Sequence, residues 1–467
     1  MEYNRDIKID RLKQIHFIGI GGIGMSGIAA LMLGLGYKIT GSDMASTEIT
    51  QSLAKAGASV YKGHRHKLPA GTQAVVVSSA IRDDNPEVVA AIKSGLPVIH
   101  RAFMLSRLAG LKKTVTVAGT HGKTTTTSMM AVAFEACGAG ATAVVGGILK
   151  NAGSNLQMGG GEYFIAEADE SDGSFLDFHP LVTCVTNIDA DHLDHYGSLE
   201  EIKMAFIRHI YSVPFFGMAV LCSDDPGVRS ILPYIKAPFL TCGINDGADW
   251  QARNIEYSEN STEYQVWFKG RLKGNVKLQI PGEHNVRNSL LVIAAAHYLG
   301  FSFDKIIEGL ARFKGVKRRL DRLGSAGGVE FIDDYGHHPA EIKATLSAVR
   351  RMYPDRRIVV LFQPHRYTRT RDLFKEFGES FADADKLFIA PIYSAGENPI
   401  RGISSDLVIK SARKNGKNAR IYPGILNMLK EISSGDVFIT LGAGDVWKIG
   451  MELKMKREML GAELWKN

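Results

Sequence analysis

Residues Val117 to Thr127 read VAGTHGKTTTT, with Gly122, Lys123 and Thr124 in the order of a loop that cradles nucleotide phosphates. The full G-x-x-x-x-G-K-[ST] pattern asks for glycine at position 117, and valine stands there. In such a loop, successive backbone N–H groups and a helix N-terminus point at the anion. The lysine then bridges the terminal phosphates, and the following hydroxyl meets magnesium. The alternative is a glycine-rich turn with a solvated lysine. A β-branched run before it, TVTVA, and a helical pattern after it, TTTTSMMAVAFEA, favour the nucleotide reading.

Downstream, YFIAEADESDGSF places Glu167, Asp169, Glu170 and Asp172 at the end of an apolar run. A carboxylate at a strand end beside a phosphate loop can bridge Mg²⁺ to a phosphate oxygen, whereas a solvated acidic turn is the plainer reading. VTNIDADHLDHYG adds Asp189, Asp191, His192, Asp194 and His195, and histidine among the ligands extends the metal choice to Mn²⁺. In PGEHNVRNSLLV, His284, Asn285 and Asn288 stand at a helix start, where the amides could read an adenine edge or cap the helix. FQPHRYTRTRDL carries Arg366, Arg369 and Arg371, a density that fits paired recognition of a carboxylate or phosphate; a solvated basic turn is the alternative. His337 and His338 before Pro339 fit either metal ligation or helix capping.

Between these motifs the sequence repeats one pattern. Short apolar runs, among them Ile15–Ile20, Lys38–Ser42, Ala74–Ser78, Thr114–Ala118, Tyr163–Ala168, Thr183–Asn187, Arg357–Phe362 and Val437–Leu441, each lead into a turn and a helical stretch. This predicts an α/β protein with mostly parallel sheets. Alternation between Glu263 and Ile280 predicts one antiparallel hairpin. A second glycine loop, GIGGIG at Gly19 to Gly24, fits the G-x-G-x-x-G dinucleotide fingerprint. The pattern restarts near Lys113 and Gly315, so three domains are expected, 1–110, 111–315 and 316–467.

Composition narrows the partners. Lys plus Arg (56) exceeds Asp plus Glu (49), and the cations are scattered apart from local groups, which favours a small anionic substrate over nucleic acid. The four cysteines form no C-x-x-C pair, which fits a reducing compartment. The polar N-terminus MEYNRDIKID is unlike a signal peptide, and no run of about 18 uncharged apolar residues occurs, so a cytoplasmic protein without membrane insertion is expected.

IHFIGIGGIGMSGIA, AGTHGKTTTT, EADESDGSF, DADHLDHYG, DDYGHHP and FQPHRYTRTRDL together resemble the Mur ligases, ATP-dependent amide-forming enzymes of bacterial cell-wall synthesis, over nearly the whole chain. That family's loop is G-T-x-G-K-T, so valine at 117 is ordinary in it. The resemblance implies a Rossmann-like N-terminal domain for a UDP-sugar, a central P-loop-type ATPase domain and a Rossmann-like C-terminal domain for an amino acid. Within the family the motifs look like the member that joins L-alanine to UDP-N-acetylmuramate in peptidoglycan precursor synthesis, through an acyl phosphate.

By family position, Gly21, Gly22, Ile23 and Gly24 would meet the diphosphate. Asp43 would lie near the uridine, with Ser42, His64, Ser78 and Arg101 as further candidates. Gly119, Thr120, His121, Gly122, Lys123, Thr124 and Thr125 would hold the ATP phosphates. His284, Asn285 and Asn288 would hold the adenine side, and Arg319 would reach the nucleotide. Thr124, Glu167 and His192 look like ligands of Mg²⁺ or Mn²⁺. Tyr335, His337, Arg366 and Arg369 would form the amino-acid site. Lys123, His192, Arg319, His337, Arg366 and Arg369 are the residues implied in catalysis.

Three other readings compete. A recycling ligase would add a ready-made tripeptide to the same UDP-sugar. An NAD-dependent oxidoreductase built on GIGGIG gives no role to Lys123 or to the acids at 167–172. A nucleotide-gated binding protein would hold ATP without turnover.

Overall fold

Runs of Val, Ile and Thr, each closed by a glycine or polar turn, generate three sheets in chain order. The computed structural model describes residues 9–258 and 261–464. The first sheet comprises β1 (Gln14–Ile18), β2 (Lys38–Asp43), β3 (Ser59–Lys62), β4 (Ala74–Val77) and β5 (Val98–His100) in the order β3-β2-β1-β4-β5, all parallel. This is the Rossmann-like arrangement, with the crevice at the strand ends where the order reverses.

The second sheet has ten strands: β6 (Lys113–Ala118), β7 (Thr142–Leu149), β8 (Ser154–Gln157), β9 (Tyr163–Glu167), β10 (Val182–Val185), β11 (Met218–Cys222), β12 (Phe239–Gly243), β13 (Trp250–Tyr257), β14 (Thr262–Phe268) and β15 (Arg271–Leu278). Their order is β15-β14-β13-β12-β11-β10-β6-β9-β7-β8. The central β6 pairs in parallel with β9 on one side and β10 on the other, so both acid-bearing strands end beside the phosphate loop. β6 is buried from Thr114 to Ala118, as expected of a strand covered by helices on both faces.

The third sheet runs β16 (Asp321–Ala326), β17 (Val329–Asp334), β21 (Val437–Leu441), β18 (Ile358–Phe362), β19 (Lys386–Ile389), β20 (Ala419–Ile421), parallel except for the antiparallel pair β16–β17. Two compact units divide the chain. The first takes residues through 254 with 264–277 and 287–313; the second takes 255–263, 278–286 and everything from 314 on. In the first unit, Ile28 and Leu31 of the Ile23–Gly34 helix share a core with Val144, Phe164 and Phe206. In the second, Ile342, Leu346 and Phe377 cover one face of the third sheet and Met428, Val446 and Leu453 the other.

The expected strands are present, with shifted ends that have local causes. The first stops at Ile18 because Gly19 turns at φ 74°. The strand expected to reach Asn187 stops at Val185, since Thr186 and Asn187 leave the ladder to bind the phosphate loop. The expected hairpin is β14–β15, joined by Lys269 and Gly270, both at positive φ, the backbone of a type I′ turn.

Candidate active site

The loop Gly119–Gly122 joins β6 to the Lys123–Ala136 helix. Gly119 (φ 133°) lies so close to β10 that a Cβ there would come 2.0 Å from Thr186 Oγ1. Neighbouring groups lock the loop: Asn187 Oδ1 accepts His121 N at 2.8 Å, Asn187 Nδ2 donates to His121 O at 2.9 Å, and Thr120 Oγ1 accepts Asp189 N at 2.9 Å. Asn288 packs against Gly122, whose added Cβ would lie 3.1 Å from Asn288 Oδ1.

Lys123 Nζ turns back over this loop and donates to Gly119 O (2.6 Å) and Thr120 O (3.2 Å). It also reaches both oxygens of Glu170, at 3.0 and 2.8 Å. Burial alone would lower the ammonium's pKa, but Glu170 and Asp169 beside it raise it, so the lysine stays charged. Thr124 Oγ1 lies 3.3 Å from Glu167 Oε2, and Gly146 N donates to Glu167 Oε1 at 2.7 Å. Burial lifts the Glu167 carboxyl above its ordinary value. His192, at φ 56°, sets Nε2 4.0 Å from Glu170 Oε1 and 3.6 Å from Asp191 Oδ2. The structure therefore gathers Lys123, Thr124, Glu167 and His192 around one loop, together with Glu170. The side chain of Asp194 lies outside the described residues.

In the first sheet's crevice, Asp43 Oδ2 accepts Gly21 N at 2.8 Å and Oδ1 accepts Ala45 N at 3.1 Å, so this acid shapes the glycine loop. Ser42 and His64 turn toward the buried Glu87: His64 Nδ1 is 3.1 Å from Glu87 Oε2, and the Ser42 hydroxyl donates to the same oxygen. Their side chains serve this interior network. Ser78 is half-buried just past β4. Arg101 lies over the loop, its Nη1 2.9 Å from where a Cβ on Gly24 would stand.

The second unit assembles another cluster. Leu320 N and Gly336 N donate to the two oxygens of Asp334 at 2.6 and 2.8 Å, tying KRRLD to DDYGHHP, and burial pushes this carboxyl up to about 6. The guanidinium of Arg319 lies 5.1 Å from the Tyr335 ring centre and its Nη1 3.4 Å from Glu341 Oε1. The His337 ring is 5.4 Å from Tyr335 and 5.6 Å from His365, which in turn stacks on Tyr393 at 5.7 Å. Arg369 Nη1 is 3.4 Å from His365 Nδ1. Burial lowers His337 to about 3, and burial with Arg369 lowers His365 to about 4; both rings are neutral near pH 7.

The three arginines of this segment divide. Arg366 is exposed at φ 69° before the Tyr367–Gly378 helix, Arg371 pairs with Asp372, and Arg369 alone turns toward the histidines. Glu397 caps the helix by accepting Tyr367 N at 2.7 Å and Thr368 N at 3.1 Å. On the Glu283–Tyr298 helix, Asn285 Nδ2 donates back to Pro281 O at 2.7 Å, which caps none of the helix's N–H groups, while its Oδ1 is buried with no hydrogen-bond partner among the described residues. His284 is half-buried beside Gly282.

Sequence reasoning missed Asn187, Glu397, His365 and Tyr393. Asn187 and His365 stood inside motifs already singled out, VTNIDADHLDHYG and FQPHRYTRTRDL, while Glu397 and Tyr393 act across loops with no local spacing signal.

Three family models match the chain consecutively: "Mur ligase family, catalytic domain" over 14–113, "Mur ligase middle domain" over 117–296 and "Mur ligase, glutamate ligase domain" over 318–444. A UDP-N-acetylmuramate--L-alanine ligase of Endomicrobium trichonymphae is 49% identical over 441 residues, covering 94% of this chain and 98% of that protein. The same-named protein of Geobacter sulfurreducens is 47% identical over 454 residues, covering 96% and 98%. Among solved structures, the UDP-N-acetylmuramate-alanine ligase of Thermotoga maritima superposes with a TM-score of 0.81 at 29% identity, covering 95% of this chain and 98% of that one. With the phosphate loop, the acids beside it and all three domains matched in order, the chain belongs to the Mur ligase family.

Proposed function

We propose that the chain is an ATP-dependent ligase that joins L-alanine to the muramoyl carboxylate of UDP-N-acetylmuramate, releasing ADP and phosphate in peptidoglycan precursor synthesis. The observation that carries the chemistry is the charged Lys123 in a phosphate loop flanked by Glu170 and Glu167. The identity of 49% to a UDP-N-acetylmuramate--L-alanine ligase supports the choice of substrates.

A carboxylate oxygen of the sugar attacks the γ-phosphorus, and the bond to ADP breaks. The amine of L-alanine then attacks the acyl carbon, phosphate leaves, and the amine gives up a proton. Lys123 neutralises the transferring phosphoryl group, and the loop N–H groups orient it. The Thr124 hydroxyl and the Glu167 carboxylate, 3.3 Å apart, are hard oxygen donors that suit Mg²⁺, with His192 as a further ligand. Bound there, Mg²⁺ supplies charge neutralisation on phosphate oxygens. Family position adds His284, Asn285 and Asn288 for adenine and Arg319 for the nucleotide; the orphaned Asn285 Oδ1 suits a ligand N–H.

Gly21 to Gly24 and Arg101 hold the diphosphate, with Asp43 shaping the loop. Arg369 pairs with the alanine carboxylate, while Tyr335 and His337 border it and Arg366 stands at the rim. Domain borders near 110 and 315 accompany this division of labour. A cytoplasmic location follows from the use of ATP and a UDP-sugar; among the described residues no helix is long and apolar enough to cross a membrane.

ADP release with UDP-N-acetylmuramate is to be measured with L-alanine, glycine, L-serine and tripeptide in turn. L-Alanine is expected to give the highest kcat/KM. Preference for the tripeptide would assign the chain to recycling, and ATP binding without turnover on any acceptor would remove the ligase reading.

A further inference from the structure

Two consecutive residues at the start of the Arg101–Ala109 helix face two acids of the turn after β9. His100 Nε2 lies 3.5 Å from Asp172 Oδ2, and Arg101 Nη2 lies 3.6 Å from Asp169 Oδ2. Ser79 Oγ adds a long contact of 3.5 Å to Asp172. Arg101 also lies across the N-terminus of the Ile23–Gly34 helix, its Nη1 2.9 Å from where a Cβ at position 24 would stand. The other oxygen of Asp169 accepts Ser171 N at 3.1 Å, which fixes the carboxylate's orientation. Burial opposes its ionisation, but Lys123 and Arg101 hold the carboxyl below its ordinary value. The next residue, Glu170, grips Lys123 at 2.8 and 3.0 Å, so one turn holds both Arg101, which lies over the first glycine loop, and Lys123 of the second.

We propose that Asp169 is a positioning residue that couples the two phosphate-binding loops, so that UDP-sugar and ATP each favour the binding of the other. This rests on the functional reading above. An anion seated at Gly21–Gly24 draws on Arg101, and fixing Arg101 against Asp169 fixes the turn whose next residue, Glu170, holds Lys123. The second polyphosphate then meets a cation whose ordering is already done, and affinity rises without any shared contact.

The test is calorimetric titration of a non-hydrolysable ATP analogue with and without saturating UDP-N-acetylmuramate, in wild type, Asp169→Asn and Asp169→Glu. The wild type should bind the analogue at least about 5-fold more tightly with the UDP-sugar present, and the sugar should gain by the same factor when the analogue is bound. Asp169→Asn keeps the acceptor for Ser171 but loses the charge. It should bring the ratio to within about twofold of one while each ligand alone binds with nearly wild-type affinity; Asp169→Glu should restore part of the ratio. A wild-type ratio of one, or a ratio unchanged in Asp169→Asn even if its melting temperature falls, overturns the coupling alone. Failure of either ligand to bind the wild type overturns the functional reading and the coupling with it.

Discussion

Lys123 Nζ sits 2.8 and 3.0 Å from the two oxygens of Glu170, an acid 47 residues further along the chain. Only 2% of the Glu170 side chain is exposed, so its charge depends on this lysine. The carbonyls of Gly119 and Thr120 complete the ammonium's hydrogen bonds, and the loop therefore fixes its own lysine.

Replacing Lys123 by alanine should lower kcat for ADP release by about a hundredfold or more, because charge neutralisation at a transferring phosphoryl contributes at least that much. UDP-sugar affinity should change little, since Gly21–Gly24 lie on another sheet. Stability should drop as well, by about 3 kcal/mol or more, since a buried carboxylate is left unpaired. Retention of more than about a tenth of kcat would remove the phosphate-loop assignment.

Gly119→Ala should be severely destabilising. The new Cβ would lie 2.0 Å from Thr186 Oγ1 and 3.1 Å from the backbone of Asn187, at a φ of +133°. A cost of about 3 kcal/mol or more is expected from overpacking and backbone strain together. Adding Thr186→Ala should recover only part of it in a denaturation series, because the Asn187 contact and the strain persist. Full recovery would mean that the hydroxyl clash was the whole effect.

Arg369→Ala should leave the first chemical step intact. Acyl phosphate should still be trapped with hydroxylamine, while kcat/KM for L-alanine falls by about a hundredfold, consistent with roughly 2 to 5 kcal/mol for truncating one side of a buried charge pair. Lysine should rescue poorly, since one ammonium cannot reproduce the two parallel hydrogen bonds of a guanidinium. Loss of acyl-phosphate formation would move Arg369 into the phosphoryl-transfer site and make Arg366 the next candidate for the alanine carboxylate.

The pH dependence of stability has a signature at His209. This fully buried imidazole lies 2.9 Å from Thr183 Oγ1 and 3.0 Å from Phe175 O, and burial lowers it to about 4. Its folded pKa lies below the unfolded value near 6.5, so the unfolded chain binds more protons between the two. Stability is therefore retained above about pH 6.5 and lost as pH falls toward about 4, by about 3 kcal/mol for this group. His337 and His365 act in the same direction. Chemical denaturation at several pH values should show a shallower acid slope in His209→Gln than in wild type; equal slopes would mean that His209 is not held neutral.

Local order along the chain determined much of this protein. The run TVTVA, the loop AGTHGKT and the helix after it were legible because a strand, a turn at Gly119 and Gly122, and a helix start are set by near neighbours. The parallel sheets followed from the recurrence of that unit, and FQPHRYTRTRDL marked a carboxylate-binding candidate by its density of guanidinium donors. Which acid serves which cation was decided only in three dimensions. Glu167 lies beside the loop because β9 pairs with β6 in the register Val117↔Glu167, and the turn beyond it then sends Glu170 to Lys123 and Asp169 to Arg101. The same holds for Arg369, which alone among three arginines turns inward, because the positive φ of Arg366 and the Glu397 cap set the helix's entry angle. Side chains that meet across loops depend on register and turn conformation, quantities fixed by packing of distant strands and carried by no local spacing of residues.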